Sequence, residues 1–393
     1  MNILLIIFQA CLVVYVLILV WFLVGLFRAD PARSDERPRV SVLVAIRGGH
    51  YLARLLEQLR AQDYPAEQLE FVIVDDGMFP SARALVEKAA SADQRVKVVE
   101  SADGDDRLTH KKRALDAGIQ HSGGDILLFT DADCQVGPGW VSTMVSYFTP
   151  TVDYVVGWSQ IAPGSGWSLG DEMPAIERPL HVFEQLDFVM LMLAARGATL
   201  MGTPWASTGQ NQAYRRQVYE RAGGFEALAH RLQGDDSLFL QVARKRAKVR
   251  VTFATSPESQ VVTDPTTSLE QFIFQRIRWA SDAVAMWRYT PGFIPVPLAT
   301  FGANALIPVL IIAAMVHSTT VLPVLIPGIL LKAVVEGVLL FVGVGKANLG
   351  ELRRHFPLWF LLQIPYVTLI GAASFLGNRL PWRPSADSIV QDR

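Results

Sequence analysis

Apolar residues are concentrated at both ends of the chain, and a segment of mixed polar and apolar residues separates the two ends. Residues 2–27 form an unbroken apolar run without a charged side chain, which exceeds the ~20 residues that a helix needs to cross a bilayer. Three further apolar runs of similar length follow, at about 294–316, 319–344 and 357–377. The pattern predicts a transmembrane anchor at 1–27, a soluble domain at 28–290, transmembrane or interfacial helices at 291–378 and a tail at 379–393.

The side of the membrane follows from the charges that flank the anchor. Its apolar run is too long for a signal peptide and no Ala-x-Ala cleavage site follows, so we expect it to be retained. Four arginines come next, Arg28, Arg33, Arg37 and Arg39, and basic residues beside a span mark the cytoplasmic face. The soluble domain is therefore predicted on the cytoplasmic side of an inner or plasma membrane. Four spans would place the C-terminus outside, whereas an interfacial or re-entrant segment at 291–308 would place it inside; both remain open.

Strands and helices alternate along the soluble segment. Short apolar strands are predicted at 40–46, 71–74, 96–99 and 126–130, with helical spacing of apolar residues at 51–61 and 81–92. This alternation predicts an α/β fold with a mostly parallel sheet flanked by helices. Ligands bind at the carboxyl ends of such strands, and five charged residues lie there, Arg47, Asp75, Asp76, Asp131 and Asp133.

Composition narrows the choice of partners. The formal net charge of −1 over 393 residues gives no reason to expect nucleic acid binding. The two cysteines, Cys11 in the anchor and Cys134 in the soluble segment, are too different in surroundings to form a structural disulfide, so both are expected to be reduced. Lys332 and Glu336 stand at i, i+4 spacing within an apolar run, where a structural ion pair is favoured over an ion pathway.

Several motifs combine a functional interpretation with a structural one. Asp131 and Asp133 follow a strand, where two carboxylates suit Mg²⁺ or Mn²⁺ but also suit turn capping, and Asp75 and Asp76 allow the same two interpretations. The basic run 111–113 could reach a diphosphate or form a solvated face.

Two more motifs come later in the chain. Asp235 and Asp236 precede a helix, so that either could act as a general base or cap the helix. Gln275, Arg278 and Trp279 share one helical face, which could meet a diphosphate and a sugar or serve as an interfacial anchor.

Taken in order, these motifs resemble the family 2 glycosyltransferases, the group that includes cellulose and hyaluronan synthases and ceramide glucosyltransferase. The matching elements are Val74-Asp75-Asp76-Gly77, Lys111-x-x-Ala114-Leu115, Asp131-Ala132-Asp133, Thr208-Gly209-Gln210-Asn211-Gln212-Ala213-Tyr214-Arg215-Arg216, Gly223-Gly224-Phe225, Gly234-Asp235-Asp236 and Gln275-x-x-Arg278-Trp279. The resemblance covers about residues 39–279. It implies the nucleotide-sugar fold called GT-A and inversion at the anomeric carbon.

The resemblance also implies roles for individual residues. Asp75 or Asp76 would hold the base and ribose, with Arg47 and Lys111 near the donor. Asp131 and Asp133 would hold the divalent metal, and Asp236, with Asp235 able to share the role, would be the base. Gln275, Arg278 and Trp279 would contact the diphosphate and the acceptor. The chain departs from the family at Arg47-Gly48-Gly49, where Arg-Asn-Glu is usual, and this leaves the donor open.

The function expected from the resemblance is transfer of a sugar from a nucleotide-sugar, on this reading a UDP-sugar, to a lipid-linked or membrane-embedded acceptor. A processive polysaccharide synthase is the first alternative, and the length of the product separates the two. A non-catalytic sugar-nucleotide-binding membrane subunit is the second alternative. Loss of the acids expected to bind the metal or to act as the base would distinguish it. A transporter is disfavoured because the acidic motifs lie in the soluble segment.

Overall fold

The computed structural model describes residues 1–49, 51–162 and 178–375, and the chain divides into two compact units that are each built from separate stretches. Of the described residues, one unit comprises 1–28, 162, 178–203 and 265–375, and the other comprises 29–49, 51–161 and 204–264. The tail predicted at 379–393 lies outside the described residues. The domain bounds drawn from the sequence stay predictions.

The secondary structure follows the expected alternation. In chain order the helices and strands are α1 (Asn2–Leu26), β1 (Val40–Gly48), α2 (Leu52–Arg60), β2 (Leu69–Met78), α3 (Pro80–Ala92), β3 (Val96–Glu100), α4 (His110–Gln120), β4 (Ile126–Phe129), β5 (Cys134–Val136), α5 (Trp140–Ser146), β6 (Tyr154–Val156), β7 (Ser159–Ile161), α6 (Arg178–Leu200), β8 (Gln212–Arg215), α7 (Arg216–Ala222), α8 (Ser237–Ala247), β9 (Val251–Phe253), β10 (Val261–Thr263), α9 (Leu269–Ala285), α10 (Pro295–Ala314), α11 (Ser318–Lys346) and α12 (Phe356–Ala373).

A seven-stranded sheet forms the centre of the α/β unit, in the order β3-β2-β1-β4-β8-β6-β9. Strands β3, β2, β1 and β4 run parallel to one another, and β6 runs parallel to β9. Strand β8 runs antiparallel to both of its neighbours. The mostly parallel α/β fold predicted from the sequence is therefore confirmed.

Helices cover both faces of this mostly parallel sheet, because the crossover connections between parallel strands place them there. Val42 and Val44 of β1 belong to a core shared with α2, α3 and α5, whereas Val72 and Val74 of β2 pack with Ala114 and neighbouring residues of α4. Alternate residues of a strand point to opposite faces, so a run of β-branched residues serves both cores. This explains why the strands appear in the sequence as continuous apolar runs.

A second, three-stranded sheet lies in the same unit, in the order β5-β10-β7. Strand β10 pairs antiparallel with β5, and Thr263 stands opposite Cys134. The chain leaves β10 at Asp264 and enters β5 from Asp133, so the register brings these two carboxylates to the same end of the pairing.

Within the described residues, the helical unit contains four helices that are long and apolar enough to cross a membrane. They agree with the runs predicted from the sequence and lie at Asn2–Leu26, Pro291–Ala314, Ser318–Lys346 and Gly350–Ala373. Helices α6 and α9 belong to the same unit, and α6 approaches α1 closely. A Cβ atom on Gly25 would lie 2.1 Å from the carbonyl oxygen of Gly197, so this crossing requires glycine.

A fully buried polar cluster lies among these apolar helices. Lys332 and Glu336 of α11 are 0% exposed, and their charged atoms lie 2.7 Å apart. The Tyr15 hydroxyl donates to Glu336, and Lys332 donates to the amide oxygen of Gln363. Each charge thus has a partner on its own helix and a second on a neighbour, which confirms the structural ion pair expected from the sequence.

Candidate active site

Three neighbouring strands carry charged residues at their carboxyl ends. Arg47 lies near the end of β1, Asp76 near the end of β2, and Asp131 two residues after the end of β4. These strands adjoin in the order β2-β1-β4. Burial and the charge of Arg47 lower the pKa of the His110 imidazole, and the charge of Asp76 acts in the opposite direction. His110 opens α4, so the start of that helix is close to both strand ends.

Asp75 has structural partners for both carboxylate oxygens. Its Oδ1 accepts hydrogen bonds from the backbone N–H groups of Gly77 and Met78 at 2.9 and 2.8 Å, and its Oδ2 lies 2.8 Å from the Arg83 guanidinium. Gly77 has a φ of 96°, a left-handed conformation that favours glycine. Asp75 therefore forms the turn, and the half-buried Asp76 is better placed for a ligand.

Lys111 links two acidic motifs that are far apart in the sequence. Its Nζ lies 2.6 Å from Oδ1 of Asp131 and 3.2 Å from Oδ2 of Asp235. Burial alone would lower the pKa of Lys111, but the charges of Asp131 and Asp235 raise it above its usual value. The ammonium group therefore stays charged and holds the two motifs together.

The other two cations of the basic run have structural roles. Lys112 is buried and donates to the carbonyl oxygens of Arg231 and Gln233, which fixes the loop that leads to Asp235. Arg113 donates to the carbonyl oxygens of Gly104 and Ala102. Lys111 is therefore the cation of the run 111–113 that lies among the acids, and its contact with a donor stays a prediction.

Asp131 and Asp133 fit a divalent cation. Burial and the charge of Asp131 raise the pKa of Asp133 to about 6, a repulsion that a bound dication would relieve. Residues 1–49, 51–162 and 178–375 contain no group of three or more His, Cys, Asp or Glu side chains arranged for a metal. The protein thus supplies two carboxylates, as Mg²⁺ and Mn²⁺ sites do when phosphates and water complete the coordination.

Asp236 is held by two backbone groups at the start of α8. It caps the helix by accepting from the Ser237 N–H, and its Oδ2 accepts from the Gly209 N–H at 3.3 Å. Asp236 is partly exposed, whereas Asp235 is only 6% exposed and is paired with Lys111. Both acids lie at the helix start as expected, and Asp236 is the more accessible.

The segment Thr208–Arg216 supports the acids through buried hydrogen bonds. The Asn211 amide is buried and fully engaged, since it accepts from the Trp140 indole and donates to the carbonyl oxygens of Trp158 and Ser259. Gln212 donates to the Asp235 carbonyl oxygen at 3.0 Å. These polar side chains of the motif have a structural role that the sequence alone did not reveal.

Arg54 and Asp264 adjoin the site and were not identified from the sequence. Arg54 Nη2 lies 3.0 Å from Asp264 Oδ2 and 3.4 Å from the carbonyl oxygen of Asp133. The charge of Asp264 also contributes to the raised pKa of Asp133. In the sequence, Asp264 appears only as an acid after a short apolar run. Its closeness to Asp133 depends on the long-range pairing of β10 with β5, which the sequence does not reveal.

Gln275, Arg278 and Trp279 lie on α9 of the helical unit, as the spacing predicted. The Trp279 ring packs against Phe188, with ring centroids 5.6 Å apart, and against the Arg276 guanidinium. The contact of these residues with a diphosphate or an acceptor stays a prediction.

Comparison with known proteins agrees with this architecture. A mannosyltransferase of known structure, PcManGT from Pyrobaculum calidifontis, superposes with a TM-score of 0.55 at 19% identity, over 93% of this chain and 99% of that chain. Glycosyltransferase AglE of Haloferax volcanii is 27% identical over 126 residues. That match covers 32% of this chain and 40% of AglE.

The sheet, with its flanking helices and the similarity to PcManGT, defines a fold of the GT-A type. The model of glycosyl transferase family 21 matches residues 4–392. The chain therefore belongs to glycosyl transferase family 21.

Proposed function

We propose that the protein transfers a sugar from a nucleotide-sugar to a lipid-linked or membrane-embedded acceptor, with inversion at the anomeric carbon. The observation that carries this proposal is the pair of contacts made by Lys111, which joins the acids after β4 to those before α8. One edge of the sheet thus combines two carboxylates for a metal with a partly exposed carboxylate for proton transfer.

Each group has a place in the reaction. Asp131 and Asp133 hold Mg²⁺ or Mn²⁺, which when bound offsets the charge that develops on the departing diphosphate. Asp236 accepts the proton of the acceptor hydroxyl while the hydroxyl oxygen forms a bond to the anomeric carbon. The bond between the anomeric carbon and the diphosphate breaks, and the diphosphate leaves with the electron pair. Asp76 and Arg47 bind the nucleotide, and Gln275, Arg278 and Trp279 meet the diphosphate and acceptor.

Donor and metal are supported by the similar fold. PcManGT was solved with GDP-Man and Mn²⁺, so both a guanine and a uracil nucleotide-sugar belong in a search for the donor, with a UDP-sugar as our first expectation. Metal binding by Asp131 and Asp133 is proposed from their own geometry and charge.

The membrane location supports an acceptor within the bilayer. Four helices in the described part of the chain are apolar enough to span it, and the arginines that follow α1, beginning with Arg28 and Arg33, support a cytoplasmic catalytic unit. An acceptor held by a lipid would approach from the membrane surface.

The test is a donor screen on the full-length chain in purified membranes. We expect one UDP- or GDP-sugar to give metal-dependent release of its nucleoside diphosphate with a lipid acceptor present, and a labelled product that carries a single sugar. Asp133→Ala should abolish metal-dependent donor binding, whereas Asp35→Ala, at an exposed acid after the anchor, should not.

Three outcomes would contradict the proposal. A polymer ladder would show a processive synthase, and donor binding without turnover under any acceptor would show a non-catalytic subunit. Equal donor affinity of Asp133→Ala and the unmodified protein, with and without chelator, would remove the metal assignment.

A further inference from the structure

Arg276 is a buried cation beside the residues expected to meet the donor and acceptor. It lies on α9 between Gln275 and Arg278 and is only 1% exposed. Phe272, Arg276 and Trp279 follow one another at i, i+4 and i+7, so they share a face of the helix. Trp279 therefore belongs both to this buried face and to the face that carries Gln275 and Arg278.

Two acids of α6 balance the charge of Arg276. Its Nη1 lies 3.4 Å from Oδ2 of Asp187, and its Nη2 lies 3.9 Å from Oε1 of Glu184. The Tyr366 hydroxyl of α12 donates to Asp187 at 3.1 Å, and Thr266 donates to Glu184 through its hydroxyl and its N–H. The charge balance thus joins α9 to α6, and Asp187 extends the contact to α12.

The guanidinium is oriented by aromatic rings rather than by directional hydrogen bonds. None of its three nitrogens has a hydrogen-bond partner among the described residues, although both carboxylates are near. Its Cζ lies 4.3 Å from the centroid of the Trp279 ring and 5.0 Å from that of Phe272. A planar guanidinium at these distances is attracted to the ring face.

The Trp279 ring has contacts with Arg276 and with Phe188. Arg276 attracts its ring by cation–π interaction, and Phe188 of α6 packs against it with ring centroids 5.6 Å apart. Arg276 itself is almost completely enclosed, so it acts through a neighbour.

We propose that Arg276 is a positioning residue that sets the orientation of the Trp279 indole for sugar transfer. The inference rests on the proposed function, because it takes Trp279 to meet the diphosphate and acceptor. Glu184 and Asp187 keep Arg276 in place, and the plane of its guanidinium fixes the ring.

A double-mutant cycle on the full-length chain tests this role. Arg276→Lys keeps the positive charge beside Glu184 and Asp187 but lacks the planar group that stacks on Trp279. We expect kcat to fall about tenfold, since small misplacements of a positioning group can cost up to ~100-fold, while KM for the donor stays within about twofold. In a Trp279→Ala background, Arg276→Lys should change kcat by less than about twofold, because the interaction it disturbs is already absent.

Arg288→Lys is the matched control, since Arg288 lies 5.6 Å from the Trp287 ring centroid and both side chains are exposed. It should leave kcat unchanged. Thermal unfolding of every variant separates loss of activity from loss of folded protein.

The outcomes are distinguishable. Additive effects of the two substitutions on kcat, or wild-type kcat in Arg276→Lys, would overturn the positioning role. Failure of Arg276→Lys to fold would assign Arg276 to stability alone and also overturn it. Absence of transfer by the unmodified chain with every donor would instead reject the proposed function.

Discussion

Replacement of Asp236 separates its proposed catalytic role from its structural role as a helix cap. Asp236→Ser keeps a side-chain oxygen that caps α8 but cannot accept the acceptor's proton at neutral pH, and Asp236→Asn keeps the size and one acceptor oxygen. Asp236→Ala removes the cap and the base together. Ser and Asn are as effective as Asp at this position of a helix, whereas Ala costs about 0.5–2 kcal/mol.

The magnitudes follow from the two bonds that Asp236 accepts. The Asn variant can keep the bond from the Ser237 N–H but places an amide N–H₂ toward the Gly209 N–H, 3.3 Å from the present oxygen, and loss of such a bond costs about 0.5–1.5 kcal/mol. Loss of a general base lowers kcat about 10²–10⁴-fold, which corresponds to roughly 2.7–5.4 kcal/mol of barrier. The catalytic effect therefore exceeds the loss of stability.

The assay is steady-state release of nucleoside diphosphate together with thermal unfolding, for the three variants and for Asp106→Asn at an exposed acid. We expect Ser, Asn and Ala variants to lose turnover alike, with donor affinity largely retained, although only the Ala variant loses the cap. Turnover within about threefold of wild type in Asp236→Asn, or turnover that follows stability across the series, would refute the reasoning.

Three further predictions test the rest of the molecule. Burial and a neighbouring charge raise the pKa of Asp133 to about 6, so below that pH its carboxyl is protonated and a metal must displace the proton. Mn²⁺ affinity, measured by electron paramagnetic resonance, should therefore fall about tenfold per pH unit below 6. Equal affinity at pH 5 and pH 7 would contradict this. Lys332→Met should lower the free energy of unfolding in detergent by about 3–5 kcal/mol because Glu336 keeps a buried charge, whereas Lys332→Met with Glu336→Leu should regain most of it, and equal losses would argue against a buried ion pair. A methyl group in Gly209→Ala would lie 3.0 Å from the Lys111 ammonium, so we expect kcat to fall at an almost unchanged melting temperature, and wild-type kcat would show that Lys111 can move without consequence.

The sheet was predictable because its strands are encoded locally. Strands β1, β2, β3 and β4 each appear as a short run of β-branched and apolar residues. Because parallel strands run in the same direction, their carboxyl ends lie on one edge of the sheet. The long apolar helices were predictable for a similar reason, since length and apolarity alone identify candidate spans.

Side-chain contacts between residues far apart in the sequence could not be predicted. The sequence suggested that Lys111, Lys112 and Arg113 form one basic group, but each side chain points to different partners once α4 packs on the sheet. Arg276 had no sequence feature that marked it as a buried cation, because its partners Glu184 and Asp187 lie on α6, far away in the sequence. Such contacts depend on tertiary packing rather than on spacing.

The balance of charge at the strand ends gives the proposed metal a further consequence. The Lys111 ammonium lies 2.6 Å from Asp131 and 3.2 Å from Asp235, and its charge also acts on Asp133 and Asp236. Burial, together with the charge of Asp131, raises the pKa of Asp133, so a second negative charge at this edge is unfavourable. A nucleotide diphosphate would add more negative charge to the same edge, so its binding is favoured only after a dication has offset the carboxylates. If these acids hold the proposed metal, we expect donor binding to depend on that metal and the metal to bind before the donor.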